Sequence, residues 1–313
     1  MKTINFIIPG LYEHYALNIL FCTMLKAHPE YFYDNVNVSA IFGNFQFSTW
    51  DGGRTFVDYY YANKELVERL VYIYNQELEI PMRLVFTSHT ITERDLYDRY
   101  NNMILELCHN EMNEVVIASP LLEDYIRTHY PKYSFISSTT KCLNKDELLA
   151  EIDSNKYKMV CLNYNLNKHQ GLLKEVSEEQ KEKMEFLINA ICPSGCPNRK
   201  NHYYLNSLFS QSYGKMYSMK SCDIKGHSLN YQDRTRHINN LQPNDVFEYF
   251  ENGFNNFKIE GRTFTSLEMI LHLVKYMVKP EYQSTMILGL FSMLENFNVY
   301  EYSYDVYKNY YVV

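Results

Sequence analysis

The twelve residues Cys192-Pro193-Ser194-Gly195-Cys196-Pro197-Asn198-Arg199-Lys200-Asn201-His202-Tyr203 hold two thiols, two prolines, a glycine, an arginine and a histidine. This mixture suits a site better than a packed core. Cys192 and Cys196 offer soft thiolate donors of the kind that hold zinc or iron–sulfur clusters. Gly195 lets the intervening loop fold tightly, and Pro193 and Pro197 stiffen it. Cys222 follows in the same region. Cys161 ends the preceding candidate strand, so Cys192, Cys196, Cys222 and Cys161 form one candidate set of four ligands. Zinc is the rival metal, with His202 and His227 near enough in sequence to join the thiols. A third chemistry is nucleophilic, with Cys192 or Cys196 activated by His202. Cys22, Cys108 and Cys142 fall on or beside candidate helices and are expected to be small buried hydrophobes.

Other polar residues extend the candidate site. Arg199 and His202 suit an anionic substrate. Glu260 and Arg262 follow a late apolar strand and are expected to pair with each other or to bind a polar ligand. Asp51-Gly52-Gly53-Arg54 reads as a flexible arm above them.

These residues must be positioned by a repeating scaffold. Apolar runs at Ile4 to Ile8, Val36 to Phe42, Met82 to Phe86, Glu114 to Ala118, Tyr133 to Ile136, Tyr157 to Leu162 and Phe186 to Ile191 read as seven strands. Between them, apolar residues recur at helical spacing over Tyr12 to Lys26, Asn63 to Gln76, Thr92 to Cys108, Leu121 to His129, Lys145 to Asp153 and Lys168 to Lys174. Asn144 stands as an N-cap before the fifth of these. An eighth unit comes late, with a strand at Asn256 to Glu260 and a helix at Ser266 to Val278. Continuous apolar strands alternating with helices predict a parallel sheet covered on both faces. Eight such units predict a TIM-like (β/α)8 barrel. The doubly wound open sheet is the runner-up, weakened because no glycine-rich dinucleotide fingerprint follows the first strand.

In a barrel the strand C-terminal ends converge on the active site. Asn44, Thr87, Ser88, Ser119, Ser138, Thr139, Asn163, Asn189 and Glu260 would then form a polar bowl. The expected organisation is one barrel domain over 1–279, with an irregular excursion over 198–243 between strands seven and eight. A C-terminal extension covers 280–313. Its aromatic end, Tyr302 to Val313, is expected to pack over the barrel or to mediate homo- or hetero-oligomer contacts.

Composition narrows the function classes. A net charge of −7 offers no global basic field for nucleic acid. The longest apolar run, Met286 to Leu294, is far short of the ~20 residues of a membrane helix. Seven cysteines without disulfide-like spacing fit a reducing compartment, so the protein is expected to be cytoplasmic. The expected partner is a small-molecule or peptide substrate.

Phe257-Lys258-Ile259-Glu260-Gly261-Arg262, followed by a helix, resembles the KIEGR signature of the collagenase-like peptidases of family U32. The strand running into Cys192-Pro193-Ser194-Gly195-Cys196-Pro197-Asn198-Arg199 resembles that family's cysteine segment. Leu162-Asn163-Tyr164-Asn165-Leu166-Asn167 stands where members carry an asparagine-containing strand end. The resemblance is clearest over 158–279. It implies a TIM-like barrel. The family name implies a peptidase, but several members are similar to oxygen-independent hydroxylases of ubiquinone precursors or RNA bases. Those hold a 4Fe–4S cluster on four cysteines. The resemblance thus implies cluster ligation by Cys192, Cys196 and Cys222, with Cys161 as the candidate fourth ligand. Arg199, His202, Glu260 and Arg262 would then orient substrate. The acidic balance argues against the RNA-acting branch. A peptidase, or a ligand-binding barrel with a structural zinc, is the alternative.

Overall fold

The computed structural model describes residues 2–54, 61–192, 194–213, 238–261 and 264–310, with side chains described as far as residue 297. The strands are β1 (Ile4–Pro9), β2 (Val36–Gly43), β3 (Met82–Phe86), β4 (Glu114–Ile117), β5 (Ser134–Ser137), β6 (Met159–Cys161), β7 (Met184–Leu187) and β8 (Asn256–Lys258). They pair in sequence order, all parallel, and β8 closes onto β1. This is the (β/α)8 barrel that the alternation of apolar strands and amphipathic helices predicts.

The helices are α1 (Tyr15–Ala27), α2 (Lys64–Tyr72), α3 (Arg99–Leu107), α4 (Pro120–His129), α5 (Lys145–Asp153), α6 (Gln170–Glu175), α7 (Glu178–Lys183), α8 (Arg199–Gln211), α9 (Pro243–Glu251), α10 (Ser266–Met277) and α11 (Gln283–Tyr310). Local chemistry fixes several boundaries. Asn144 caps α5 in a reciprocal capping box with Glu147. The single helix expected over Thr92 to Cys108 is broken, because Asp98 leaves helical geometry and its side chain caps Asn101. The excursion over 198–243 is less irregular than expected, since α8 occupies its first part. Residues 214–237 lie outside the described residues. In the C-terminal segment, Met286, Leu290 and Leu294 of α11 are buried in the main core. Among the described residues no helix is long and apolar enough to cross a membrane.

Strand parity sorts the side chains. Phe6, Ile8, Ile41, Leu84, Phe86, Val115, Ile117, Phe135, Val160, Phe186 and Phe257 belong to the large core between strands and helices. The opposite parity faces the barrel interior, where Ile7, Ala40, Phe42, Val85, Val116 and Ile136 form a small separate apolar layer. Below that layer the interior is charged. Arg83 on β3 donates from Nε to Glu114 Oε2 at 2.6 Å and from Nη1 to Glu185 on β7, the strand opposite in an eight-strand order. Lys158 Nζ reaches Glu114 Oε1 at 2.5 Å, and Lys258 Nζ lies 3.4 Å from Glu185 Oε1. Arg83, Glu114 and Glu185 are almost fully buried.

Burial works against the Arg83 charge, but Glu114 and Glu185 more than offset it, and the guanidinium is held more firmly protonated than usual. Burial likewise pushes the Glu185 carboxyl upward, while Arg83 and Lys258 outweigh it and hold the group ionised. Removing one member of such a cluster strands its partners without water. Arg83→Met is therefore expected to cost about 3–5 kcal/mol of stability in urea unfolding. The double variant Arg83→Met, Glu185→Gln should lose less than the sum of the two single losses, since one of the two stranded carboxylates is gone.

Candidate functional site

The strand C-terminal ends open into a pocket of about 620 Å3, the space at its mouth included. Phe42, Val85, Val116 and Leu187 make its apolar floor, and Lys258 and Glu260 enter from β8 and just beyond it. Ser138, Thr139 and Thr140 line one side after β5, with Tyr164 after β6. Cys192, Arg199 and Tyr203 approach from the segment beyond β7, and Gly53 and Arg54 from the loop after β2.

That last loop is not the flexible arm expected from its glycines. Trp50 is fully buried, its indole Nε1 donates to Asp95 O at 2.9 Å, and its carbonyl accepts from Ser88 N at 2.9 Å. Gly52 is wedged between β3's exit and α8. A Cβ there would lie 2.5 Å from Thr87 O and 2.8 Å from Ser88 Cα, which no side chain tolerates. This fixed loop delivers Arg54 to Glu260, and the two form an ion pair. The Glu260 partner expected from sequence, Arg262, lies outside the described residues.

Helix α8 lies against the loops after β2 and β3. Ser207 Oγ accepts from His89 N at 2.9 Å, and Gln211 and Thr90 exchange bonds of 2.6 and 3.0 Å. Its first residue, Arg199, is turned into the barrel mouth and is 4% exposed. Arg199 donates from Nε to Tyr203 Oη at 2.9 Å, from Nη1 to Asn163 Oδ1 at 2.5 Å and from Nη2 to Thr139 Oγ1 at 3.1 Å. Its guanidinium carbon sits 4.0 Å above the Tyr164 ring. Burial opposes its charge, but the surrounding groups, led by the Tyr203 phenol, then the Cys142 thiol and the Tyr164 phenol, outweigh it and hold the guanidinium more firmly protonated than usual. Burial raises the pKa of each of those groups, so they are neutral at ordinary pH.

The strand before the cysteine loop ends earlier than expected. The sequence suggests a strand running from Phe186 into Cys192, but β7 ends at Leu187, because regular pairing with β8 ends at the Leu187–Lys258 partners. The chain stays tied to β8's exit by single bonds, Ile188 N to Lys258 O at 3.0 Å and Ile191 N to Glu260 Oε2 at 3.4 Å. Asn189 Nδ2 donates to Glu260 O at 2.9 Å and its Oδ1 accepts from Glu260 N at 2.6 Å. Gly195 adopts φ +66°, the left-handed region that favours glycine, and its N–H bonds Asn165 Oδ1 at 3.0 Å. Asn239 bridges Asn165 and Ser194 at 3.0 and 2.7 Å.

The predicted residues therefore separate. Cys192, Arg199 and Glu260 line one pocket. Cys196 is buried in the same loop, and His202 is half-buried on α8, outside the pocket lining. Cys161 lies inside the barrel wall, where its thiol bonds Glu185, and burial pushes it up to about 12. Cys222 and Arg262 lie outside the described residues. Cys142, expected to be a plain buried hydrophobe, is half-buried and lies in the electrostatic surroundings of Arg199, Lys200, Cys192 and Cys196. Sequence reading also missed Lys258, Tyr164 and Tyr203 as pocket residues. Lys258 carried a signal, being a cation inside an otherwise apolar strand.

The thiols should differ in chemistry. Cys161 is neutral in the fold up to about pH 12, against an ordinary value of about 8.5 in the unfolded chain. Its contribution to stability is full below about pH 8.5 and falls as the pH rises toward 12. Iodoacetamide at pH 8 should label Cys192 in the native protein and leave Cys161 unmodified until denaturant is added, as read by peptide mass mapping. Equal labelling of both in the native state would contradict this placement.

No protein-family model matches the chain, and no curated protein matches it. Among solved structures the chain is similar to the one described as "The Structure of the U32 Peptidase Mk0906", at 12% identity and a TM-score of 0.47. That alignment covers 83% of this chain and 94% of the other. It is a distant likeness in chain path, from which no activity is taken.

Proposed function

We propose that this barrel is a redox enzyme of the oxygen-independent hydroxylase type, in which the strand-end pocket takes a small-molecule substrate and the cysteine loop holds an iron–sulfur centre. The observation that carries this reading is the meeting of Cys192 with Arg199 and Glu260 around one pocket at the strand ends. The donor chemistry suits such a centre, since Cys192 and Cys196 share one loop and Cys142 lies near them. Among the described residues, however, no three His, Cys, Asp or Glu side chains converge on one point. Cys161 is committed to the barrel interior. The described thiols therefore do not complete a four-cysteine set.

The chain's own residues have definite tasks in this reading. Arg199 binds and orients an anionic group. The Arg54–Glu260 pair closes one side of the pocket and, through Ile191 N, ties the cysteine loop to β8. The apolar floor keeps water from the buried end. Cysteine-nucleophile proteolysis is less well supported, because His202 does not line the pocket that Cys192 lines.

Strictly anaerobic purification with iron, sulfide and zinc analysis tests the proposal. Iron and sulfide in equal amounts are expected, and Cys192→Ser or Cys196→Ser should remove both while leaving the protein folded. Zinc alone would replace the redox reading with a structural or hydrolytic site. Protein without metal after anaerobic reconstitution from iron and sulfide would end it.

A further inference from the structure

We infer that the molecule taken by this pocket is a small carboxylate with an apolar body, its carboxylate received by Arg199. The inference deepens the assignment of the pocket as a substrate site and rests on it.

Arg199 is placed where three separate effects penalise a cation. It is buried, 4% exposed, which costs a charge most of its hydration. It stands at the first position of α8, a helix of 13 residues, where the helix dipole favours negative charge and disfavours positive. Among the described residues it also faces no carboxylate: its three hydrogen bonds go to a phenol, an amide oxygen and a hydroxyl, all neutral. The other cations near the barrel axis differ. Arg83 has Glu114 and Glu185, Lys258 has Glu185, and Arg54 has Glu260. A buried charge with neutral partners only is what a site for an opposite charge looks like before that charge arrives.

The donor count defines the ligand further. A guanidinium has five N–H groups in a rigid planar fork. The three bonds above leave one N–H on each terminal nitrogen. Paired donors on one plane match the two oxygens of a carboxylate. A phosphate dianion would want a second cation free of a carboxylate, and Arg54 and Lys258 each already face one. Phe42, Val85, Val116 and Leu187 offer the rest of the ligand an apolar surface.

Calorimetric titration of the full chain with benzoate, its neutral isostere benzamide, and phenyl phosphate provides the test. Benzoate is expected to bind at least tenfold more tightly than either comparison compound. Arg199→Met and Arg199→Lys should each weaken benzoate at least tenfold, the second because it keeps the charge but loses the fork. Without ligand, the unfolding midpoint of Arg199→Met should match or exceed that of the unaltered protein, which a merely structural arginine would not allow. Benzamide binding as tightly as benzoate would overturn the inference, as would benzoate binding that survives Arg199→Met. Tighter phenyl phosphate would overturn the carboxylate assignment in favour of a phosphate. If none of the three compounds binds, and 3-phenylpropionate also fails, the inference falls. The metal analysis stands apart: benzoate binding without iron or sulfide removes the redox reading alone, and iron with sulfide but no carboxylate binding removes the substrate class alone.

Discussion

Arg83 reaches across the barrel interior from β3 to Glu185 on β7, while its own neighbour strand supplies Glu114. A guanidinium in that position leaves no freedom in register. Sliding β3 by one residue would turn Arg83 into the apolar layer beneath the helices and bring Leu84 inside. Both outcomes would bury unpaired charge, because Glu114 and Glu185 would lose the same partner. Most barrels of this kind fill the interior with branched apolar layers. Here the lowest layer is ionic, an apolar layer from Ile7 to Ile136 covers it, and the pocket lies above. Lys258 links the tiers, with its ammonium 3.4 Å from Glu185 and 4.1 Å from the Phe42 ring centre at the pocket floor.

This ionic floor gives Arg199 its meaning. Two cations within one barrel are treated in opposite ways. Arg83 is surrounded by carboxylates until its charge is satisfied, and Arg199 by neutral oxygens and aromatic faces. The first arrangement stabilises a fold. The second leaves a fixed cation with no carboxylate among the described residues, which marks a site set apart from packing. The surroundings hold Arg199 in place nonetheless. Asn163, Thr139 and Tyr203 come from the exits of β6 and β5 and from α8, so the guanidinium is fixed by three elements at once.

Much of this was legible in the chain. Apolar runs at strand length with amphipathic helices between them specify eight βα units, because each pattern buries only in its own periodicity. Asn144 with Glu147 announces the start of α5 by cap chemistry alone. Gly195 between two cysteines announces a tight loop, and it does adopt a left-handed conformation. The less accurate readings share a cause. Thr92 to Cys108 has helical spacing throughout, but Asp98 competes for the backbone and opens the helix. Phe186 to Ile191 is apolar enough to extend β7 to Cys192, but β8 offers regular partners only as far as Lys258.

By itself the sequence determined the fold class, the position of the cysteine loop past the seventh strand, and the presence of Arg199 and Glu260 near the strand ends. Local propensity and periodic burial act along the chain, so they can be read along it. The tertiary structure alone decided which charges are paired. It gives Glu260 to Arg54 from the loop after β2, commits Cys161 to Glu185 within the barrel wall, places Cys142 near the Cys192 loop, and leaves Arg199 without a carboxylate among the described residues. Those outcomes depend on distances between residues tens to hundreds of positions apart, and electrostatic interaction follows distance in space rather than order in the chain.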